Sequence, residues 1–296
     1  MVSSTTLAVR PPYRLDLTAT ALRRLSTNVV DVFGTDGRYR RVFSGTNGTA
    51  LLTVEQVGPT ELAVSCDGDV SIDAPALVRR MLGTEVDLAP FYAASAAIPW
   101  LGVLVQRMRG VKSPRYPTLW EAIVNAVVYQ QVSIHAAGAI LRRVIERYAT
   151  PLAVGEERFF PFLDPHAIVD ADPVELRALG LSINKVVALR GLARAVIDGE
   201  LAESDLLPLP TPEVVERLIV HRGIGPWTAA VIALRGLGRL DIFPEKDSGV
   251  AISLRALSDE DEVDAGAILQ TLGAQRGMLY YHLLLGRLST RGEIDA

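Results

Sequence analysis

Short apolar stretches separated by turn residues mark the first 70 residues of the chain. Four stretches, each followed by glycine, asparagine, aspartate or proline, recur at about ten-residue spacing: Val29–Phe33, Tyr39–Phe43, Leu51–Val57 and Leu62–Cys66. This pattern is typical of antiparallel strands joined by tight turns. Helical spacing of apolar residues predicts two short helices, at 18–25 and at Ala74–Leu82. Residues 1–100 are therefore predicted to form a small α+β domain with an antiparallel sheet.

Beyond residue 100 the apolar positions recur with the period of an α-helix. The longest helical stretch, 118–148, is predicted to break near Gln131–Ser133, where Ser133 is a suitable N-cap for a second helix. Further helices are predicted at Pro173–Leu179, Asn184–Ile197, Pro212–Val220, Pro226–Leu237, Asp247–Leu257, Val263–Leu272 and Gly277–Leu288. Residues 101–296 are expected to form an all-helical second domain, so the predicted fold class of the whole chain is α+β.

The composition is that of an ordinary globular protein, with 49% apolar and 22% charged residues among 296. A chain of this length buries enough surface to fold without a disulfide or a structural metal. Cys66 is the single cysteine, which excludes an intramolecular disulfide and any zinc or iron–sulfur site built from several cysteines. No apolar run approaches the length of a membrane span, and the first residues lack the layout of a signal peptide. We expect no membrane association and a cytoplasmic location, at the nucleoid if the source is bacterial.

Basic residues are concentrated in one part of a chain whose formal net charge is −4. The window 101–150 holds seven basic and two acidic residues, a net of +5, so the other residues together carry −9. Such a concentration favours a local anion-binding face. The alternative is a set of solvated arginines on helix surfaces. The four histidines are scattered along the chain and predict no metal cluster.

A tight turn with two glycines lies between two predicted helices, in the segment His221–Gly225. Gly223 and Gly225 permit positive φ angles and leave backbone N–H groups uncovered beside the positive end of the helix that starts at Pro226. Together these groups predict a site for one phosphate, which suits a nucleic-acid backbone and reads no sequence. Ile224 between the glycines is expected to point inward and to hold the helices together. A purely structural corner between two helices is the alternative.

The same stretch resembles the helix-hairpin-helix motif of the HhH-GPD DNA glycosylases, and most closely their 3-methyladenine DNA glycosylase II (AlkA-like) branch. The resemblance rests on four matches in order: Gly223–Ala229 (GIGPWTA), Arg235–Gly238 (RGLG), Asp241–Pro244 (DIFP) and Asp247. Three upstream segments are also similar: Leu119–Ala126, Gln130–Ser133 and Leu176–Gly180 with Lys185. The similarity covers 115–290 well and the N-terminal part loosely, and it places the helix-hairpin-helix at 212–236.

The resemblance implies that Asp247 is the catalytic carboxylate. Breaking an N-glycosidic bond builds positive charge on the deoxyribose, which a fixed carboxylate stabilises while it orients or deprotonates water. An N-cap for the following helix is the alternative role, and one side chain can serve both. The neighbouring Lys246 is interpreted as a solvated or phosphate-facing cation rather than as a nucleophile.

Trp227 occupies the position at which bifunctional relatives carry a nucleophilic lysine. Without that amine no Schiff base forms there, so the resemblance implies a monofunctional enzyme that leaves an abasic site. Trp227 and Tyr129 are assigned to the base pocket, where an aromatic face can stack on a cationic methylated purine. A place in the core is the alternative for the tryptophan.

Gln131 lies where the family carries the residue that fills the gap left by a flipped base. An ordinary polar residue at a helix end is the alternative. The predicted DNA-binding set also contains Gly223, Gly225, Thr228 and Lys185, with a solvated surface as the alternative for Lys185. The resemblance allows for a monovalent cation at the hairpin carbonyls, and no other cofactor is expected.

Three positions depart from the aromatic residues that relatives place around the flipped base, namely Val231, Ser248 and Leu284. The nearby Tyr280–His282 could compensate, although helix packing is the other use for these residues.

The sequence thus predicts a monofunctional, monomeric DNA glycosylase that excises 3-methyladenine and related N-methylpurines from damaged double-stranded DNA. One alternative is a glycosylase for oxidised or deaminated bases. Two others are a non-catalytic binder of damaged DNA and a helical protein-interaction module.

Overall fold

A computed structural model describes residues 2–45, 48–68, 72–245, 248–258 and 263–295. The strands are β1 (Val2–Ala8), β2 (Val32–Phe33), β3 (Arg38–Gly45), β4 (Gly48–Gly58), β5 (Glu61–Gly68), β6 (Leu152–Val154) and β7 (Glu157–Phe159). The helices of the first half are α1 (Leu15–Arg23), α2 (Ala74–Leu82), α3 (Ala89–Ser95), α4 (Pro99–Arg107), α5 (Leu119–Val128) and α6 (Ile134–Tyr148). Those of the second half are α7 (Pro165–Asp170), α8 (Pro173–Ala178), α9 (Ile183–Ile197), α10 (Glu203–Leu206), α11 (Thr211–Ile219), α12 (Pro226–Arg235), α13 (Ser248–Ser258), α14 (Ala265–Leu272) and α15 (Gly277–Thr290). None of the described helices is long and apolar enough to cross a membrane.

The N-terminal part is built on a five-stranded antiparallel sheet with the strand order β1-β5-β4-β3-β2. Three of the four predicted strands are confirmed as β3, β4 and β5, whereas the predicted strand Val29–Phe33 shrinks to β2. The Asn28 side chain causes the difference, because its Oδ1 accepts hydrogen bonds from the amides of Val30 and Asp31 at 2.8 and 3.0 Å and turns the chain. Strand β1 comes in addition. Its run of serines and threonines shows no alternation, yet it pairs along the whole edge of β5.

The helical part largely follows the predicted pattern, including the break between α5 and α6, where Ser133 Oγ accepts from Ala136 N at 3.2 Å. The expectation that everything after residue 100 is helical is wrong at β6 and β7, which form a hairpin around Gly155. Each of these strands has three residues, too few for an alternating pattern to show. Helix α4 runs through residue 100, and the domain boundary at that position stays a prediction.

A buried arginine joins the sheet to the helical part. The guanidinium of Arg41 on β3 donates from Nη1 to Asp31 Oδ1 at 2.7 Å and from Nη2 to Glu121 Oε2, on α5, at 2.5 Å. All three side chains are almost fully buried. Loss of one partner from such a pair leaves a buried charge uncompensated, at a cost of about 3–5 kcal/mol. The sheet and α5 are therefore held in one arrangement.

A second buried arginine fixes the end of α1. Arg235, at the end of α12, donates from Nη2 to the carbonyl oxygens of Ala21 and Leu22 at 3.0 and 2.8 Å. Those carbonyls belong to the last turn of α1, and the chain leaves this helix through Arg24, whose φ is +64°. The N-terminal part thereby presents Arg24 toward the helices that carry the predicted site.

Candidate functional site

The turn between α11 and α12 is a compact hairpin. Ile224 is 5% exposed and belongs to the main core, as predicted. Gly223 has φ +93°, and a Cβ there would overlap that of Ala188. Gly225 differs from the sequence interpretation, because its φ is −94°, which any residue can adopt. Only one of the two glycines is thus required for backbone conformation.

The outer side of this hairpin presents open amide groups. Within the described part of the chain, no acceptor pairs with the N–H of Gly223 or of Gly225. Gly225 is exposed, and a Cβ built on it would have no atom within 4 Å. Helix α12 begins at the next residue, Pro226, so its positive end adds to the two amides. Unpaired amides at a helix N-terminus can bind an anion such as a phosphate.

The loop between α5 and α6 projects Gln131. Its φ of +54° is unusual for a residue with a side chain, and the residue is exposed. A left-handed conformation outside glycine is costly and is often found at functional sites. The sequence predicts that Gln131 fills a gap in DNA, and the structure places it at the tip of a loop beside a cavity.

Gln130 fastens this loop to the hairpin, a role that its sequence position did not reveal. Its Nε2 donates to the carbonyl oxygen of Gly223 at 2.8 Å and to Thr228 Oγ1 at 2.6 Å. Thr228 is buried, so its hydroxyl serves this contact, and a role in DNA binding stays a prediction. The loop and the hairpin are therefore linked through one amide side chain.

Lys185 supports the same loop from α9. Its Nζ donates to the carbonyl oxygens of Val128 and Gln130 at 2.8 and 2.9 Å. The ammonium is partly buried, and burial lowers the pKa of Lys185 from its ordinary value. The structure thus shows Lys185 stabilising the backbone below Gln131, and a phosphate contact by this residue stays a prediction.

A cavity of about 830 Å³ lies beside the loop and the start of α12. Tyr129, Gln131 and Trp227, all predicted site residues, line it. The loop between α5 and α6, the first residue of α6 and the start of α12 contribute further lining residues: Gln130, Val132, Ser133, Ile134, Gly225, Pro226 and Thr228. The others come from α13, from α15 and its C-cap, and from the end of α1: Gly249, Val250, Ile252, Ser253, Tyr280, Leu283, Leu284, Arg287, Leu288, Arg291 and Arg24. The structure therefore brings the predicted pocket residues together around one space.

The comparisons with known proteins agree with this geometry. The family model for the HhH-GPD superfamily base excision DNA repair proteins matches residues 124–272, which is half of the chain. The chain belongs to this family.

Several relatives of this HhH-GPD protein carry names. A DNA-3-methyladenine glycosylase of Bacillus subtilis is 28% identical over 180 residues, 61% of this chain and 59% of the relative. A probable bifunctional transcriptional activator/DNA repair enzyme AlkA of Mycobacterium tuberculosis is 32% identical over 232 residues, 75% of this chain and 44% of the relative. DNA-3-methyladenine glycosylase 2 of Escherichia coli is 33% identical over 147 residues, half of each chain. The chain spans about half the length of these curated relatives.

Solved structures of the family show the same fold. The 3-methyladenine DNA-glycosylase from Archaeoglobus fulgidus aligns with a TM-score of 0.79 at 20% identity, over 96% of this chain and 99% of that one. An 8-oxoguanine glycosylase/lyase of Clostridium acetobutylicum, solved with DNA, aligns with a TM-score of 0.75 at 15% identity, over 99% and 98% of the two chains. Both the sheet and the helical part of the HhH-GPD protein are therefore shared with these structures.

Asp247 and Lys246 of the HhH-GPD protein lie outside the described residues. Helix α13 begins directly after them at Ser248, and Gly249 and Val250 of its first turn line the cavity. The sequence position of Asp247 thus precedes a helix that faces the predicted base pocket, and its catalytic role stays a prediction.

The hairpin carbonyls offer limited room for the monovalent cation that the resemblance allows. The carbonyl oxygens of His221, Gly223 and Gly225 already accept hydrogen bonds from Ile224 N, Gln130 Nε2 and Ala229 N. A cation would have to use their second lone pairs or other carbonyls of the turn. It stays a prediction, and no step below depends on it.

The departures from the family's aromatic pattern have a partial compensation. Val231 is buried in the core, Leu284 lines the cavity, and the Ser248 side chain lies outside the described set. Tyr280 also lines the cavity, whereas Tyr281 next to it is fully buried. One of the tyrosines near the C-terminus therefore adds an aromatic wall that the motif comparison left open.

Proposed function

We propose that this protein is a monofunctional DNA glycosylase that removes alkylated bases, chiefly 3-methyladenine and related N-methylpurines, from double-stranded DNA in base excision repair. The observation that carries the proposal is the adjacency of open hairpin amides, the exposed Gln131 and the aromatic-lined cavity. The names of the Bacillus subtilis and Escherichia coli relatives support the substrate class. We expect the protein to act as a monomer in the cytoplasm.

Each part of the site serves one stage of such a reaction. A DNA phosphate binds the amides of Gly223 and Gly225, which positions the duplex without reading its sequence. The target base leaves the stack, and Gln131 fills the space that it vacates. The base then enters the cavity between Tyr129 and Trp227, whose aromatic faces attract a cationic methylated purine.

The cleavage chemistry fits a site with few acids. Methylation at N3 or N7 gives the purine a positive charge, so the base departs as a neutral molecule and needs little protonation. Positive charge develops on the deoxyribose, and the Asp247 carboxylate stabilises it and orients the water that attacks C1′. Trp227 offers no amine, so the product is an abasic site rather than a cleaved strand.

The decisive experiment is an excision assay on duplexes that each carry one lesion, with alkylated, oxidised and deaminated bases side by side. We expect release of N-methylpurines, an unbroken abasic strand and no adduct trapped by borohydride. If the protein released only oxidised or deaminated bases, it would be a glycosylase, but the proposed specificity for N-methylpurines would be wrong. Tight binding without turnover would make the protein a damage binder. A trapped adduct that is lost in Lys246→Ala would make it a lyase.

Replacing Asp247 tests the proposed carboxylate directly. Asp247→Asn keeps the size and the capping ability of the side chain and removes its charge. We expect intact folding, retained DNA binding and a fall in the single-turnover excision rate on the order of 10²-fold or more, as for other electrostatic stabilisers. Near-normal excision by this variant would exclude Asp247 as the catalytic group.

A further inference from the structure

The cavity beside the hairpin has a closed end and an open mouth. At the closed end, Arg24 is 3% exposed and its Nη2 donates to Tyr280 Oη at 3.2 Å. At the mouth, Gln131 and Arg291 line the same cavity and are both exposed. Helix α15 connects the two ends, so that Tyr280 and Arg291 lie about 16 Å apart along its axis. A nucleotide that enters the cavity base first therefore leaves its sugar and phosphates near Gln131 and Arg291.

Positive charge dominates the lining of this cavity. Among the described residues that line it, three are arginines, namely Arg24, Arg287 and Arg291, and none is acidic. Arg24 is buried, Arg287 is half-buried and Arg291 is exposed. Arg291 is therefore the arginine best placed to meet an anion that stays outside the cavity, such as a phosphate of the DNA backbone.

An acidic side chain of the protein already lies beside Arg291. Glu293 Oε1 is 4.0 Å from Arg291 Nη1 and 3.3 Å from Nε2 of His135, which belongs to the first turn of α6. The distance to Arg291 exceeds that of a hydrogen bond, and the Arg291 side chain donates no hydrogen bond within the described part of the chain. Its guanidinium donors are therefore open to another acceptor. The carboxylate marks a place between an arginine and a histidine that accepts an anion.

The segment after α15 does not need this carboxylate to keep its position. The amide of Glu293 donates to Leu288 O at 2.9 Å, and Ile294 packs against a buried hydrophobic cluster. An ion pair as exposed as that of Arg291 and Glu293 adds little to stability. The Glu293 carboxylate can thus leave Arg291 while the segment stays folded.

We infer that Arg291 binds a DNA phosphate next to the flipped nucleotide, and that Glu293 occupies this place in the free protein until the phosphate displaces it. This inference rests on the proposed glycosylase function. A guanidinium matches the geometry of a phosphate and donates two parallel hydrogen bonds to it, so a phosphate competes well against a carboxylate held at 4.0 Å. The contact favours the flipped state, because the phosphate reaches the mouth of the cavity when the nucleotide leaves the stack.

The two members of the ion pair should have opposite effects on DNA binding. Arg291→Gln removes the phosphate contact and should weaken binding of a duplex with an abasic analogue by about 5- to 10-fold at low salt, with a slope of log K against log salt that is flatter by about 1. Glu293→Gln removes the competing anion and should strengthen binding by about 2- to 5-fold. If the pair only fixed the protein segment, both substitutions would act in the same direction, and that result would overturn the inference.

A second exposed ion pair provides the matched control. Arg38 Nε lies 2.8 Å from Glu55 Oε2 on the N-terminal sheet, and neither residue lines the cavity. Arg38→Gln and Glu55→Gln change the net charge by the same amounts as Arg291→Gln and Glu293→Gln. Each should change the affinity for DNA by less than about 2-fold, because salt screens distant charges. All four variants should melt near the wild-type temperature. Equal shifts in the control pair and the test pair would show that only net charge matters, and the inference would be wrong.

Neutral linkages in the DNA locate the contact. A methylphosphonate replaces one phosphate at a time on either side of the abasic analogue, and the affinity is measured for the wild type and for Arg291→Gln. At one position the neutral linkage should weaken binding by the wild type about 5-fold or more and leave the variant nearly unchanged, because the two changes remove the same contact. Equal losses in both proteins at every position would place no phosphate at Arg291 and would refute its role.

The inference and the proposed function can fail separately. Suppose that the wild-type protein releases N-methylpurines, while Arg291→Gln and Glu293→Gln bind DNA as the wild type does. The role of Arg291 is then refuted and the glycosylase proposal stands. A wild-type protein that neither binds the abasic-analogue duplex nor releases a base refutes the proposed function, and this inference with it.

Discussion

The two glycines of the hairpin, Gly223 and Gly225, differ in whether another residue type could replace them. Gly223 combines a φ of +93° with a place against Ala188 that has no room for a Cβ. Gly225 has an ordinary φ of −94° and open space around it. The first residue needs glycine for folding. Gly225 has to be glycine only if a ligand such as a DNA phosphate approaches its backbone from the solvent side.

Substitution should separate these requirements. Gly223→Ala should lower the free energy of unfolding by about 1–3 kcal/mol, because strain and overlap coincide there. Gly225→Val should leave thermal unfolding nearly unchanged and weaken binding to every DNA sequence about equally, because a phosphate contact reads no bases. Thermal melts and affinities for several duplexes measure both effects. Normal DNA binding by the folded Gly225→Val protein would leave the hairpin as a structural corner only.

Sequence reasoning at this scale found residues whose motif position carries their meaning. Gln131, Trp227 and Gly223 were predicted from local pattern and family resemblance, and the structure places the first two at one cavity. The contacts of Arg24 and Gln130 could not be predicted, because their partners lie far away in the sequence. Tyr280 is 256 residues from Arg24. Gly223 and Thr228 are 93 and 98 residues from Gln130. No local pattern encodes contacts of that range.

At the scale of elements, the loop between α5 and α6 and the hairpin between α11 and α12 form one connected structural unit. Lys185 supports its backbone and Gln130 fastens it to Gly223 and Thr228, so that Gln131 projects from a fixed base. A wedge needs such support, since the side chain must hold its place while a base pair opens.

Three variants of this loop test the proposed wedge role of Gln131 and the supporting role of Gln130. Gln131→Ala and Gln131→Gly both remove the proposed wedge, and glycine also relieves the left-handed backbone. Both should slow excision from duplex DNA about 10-fold and spare excision from single strands, while Gln131→Gly should be at least as stable as wild type. Gln130→Ala should destabilise the fold by about 1 kcal/mol, because the buried Thr228 hydroxyl loses its donor while the exposed carbonyl of Gly223 can bind water instead. Equal losses on duplex and single strands would show that Gln131 is no wedge.

Helices and strands whose ends are marked by capping or turn residues could be predicted from the sequence. Elements that lack such residues at their ends could not be predicted. Helix α2 begins after Asp73, whose Oδ1 accepts from Ala76 N at 3.0 Å, and its predicted bounds are confirmed. Strand β1 and the hairpin of β6 and β7 lack such signals. The first is a polar edge strand defined by its partner β5, and the second is too short to show a period.

Helix α15 contains a buried titratable group that makes the stability of the fold depend on pH. Burial lowers the pKa of His282 to about 4, and its Nδ1 lies 2.9 Å from Met278 O. In the unfolded chain a histidine titrates near its ordinary value of 6.5. Between these values the unfolded state binds a proton that the folded state does not, so stability falls as pH falls from about 6.5 to about 4, by up to about 3 kcal/mol.

His282→Phe should remove this part of the pH dependence. A phenyl ring keeps the contact with Phe91, whose ring centre lies 4.8 Å from that of the imidazole. The free energy of unfolding is measured at several pH values between 4 and 7 for the wild type and for His282→Phe. Subtracting one curve from the other removes the contribution of the carboxylates that both proteins share. The wild-type curve should drop more steeply on acidification. Parallel curves would show that the imidazole titrates alike in both states.

At the scale of the whole molecule, the basic window of the sequence does not act as one free surface. Several of its seven basic side chains are engaged within the protein. Three donate to backbone carbonyls, namely Lys112, Arg115 and Arg143, and two pair with carboxylates, namely Arg142 and Arg147. The net charge of −4 gives no general attraction to DNA either. Binding must therefore depend on a small number of contacts at the site.

This distribution predicts a moderate salt dependence of DNA binding. With about three to five phosphates neutralised by cationic side chains, the slope of log K against log salt should be roughly −3 to −5. Gly225→Val should lower the affinity at every salt concentration without changing this slope, because a backbone amide carries no net charge and its phosphate contact releases little counter-ion. Fluorescence anisotropy with an abasic-analogue duplex, from 50 to 200 mM salt, measures both quantities. A slope near zero would remove DNA as the partner. A flatter slope in Gly225→Val alone would place a cationic side chain, rather than the amides, at the hairpin phosphate.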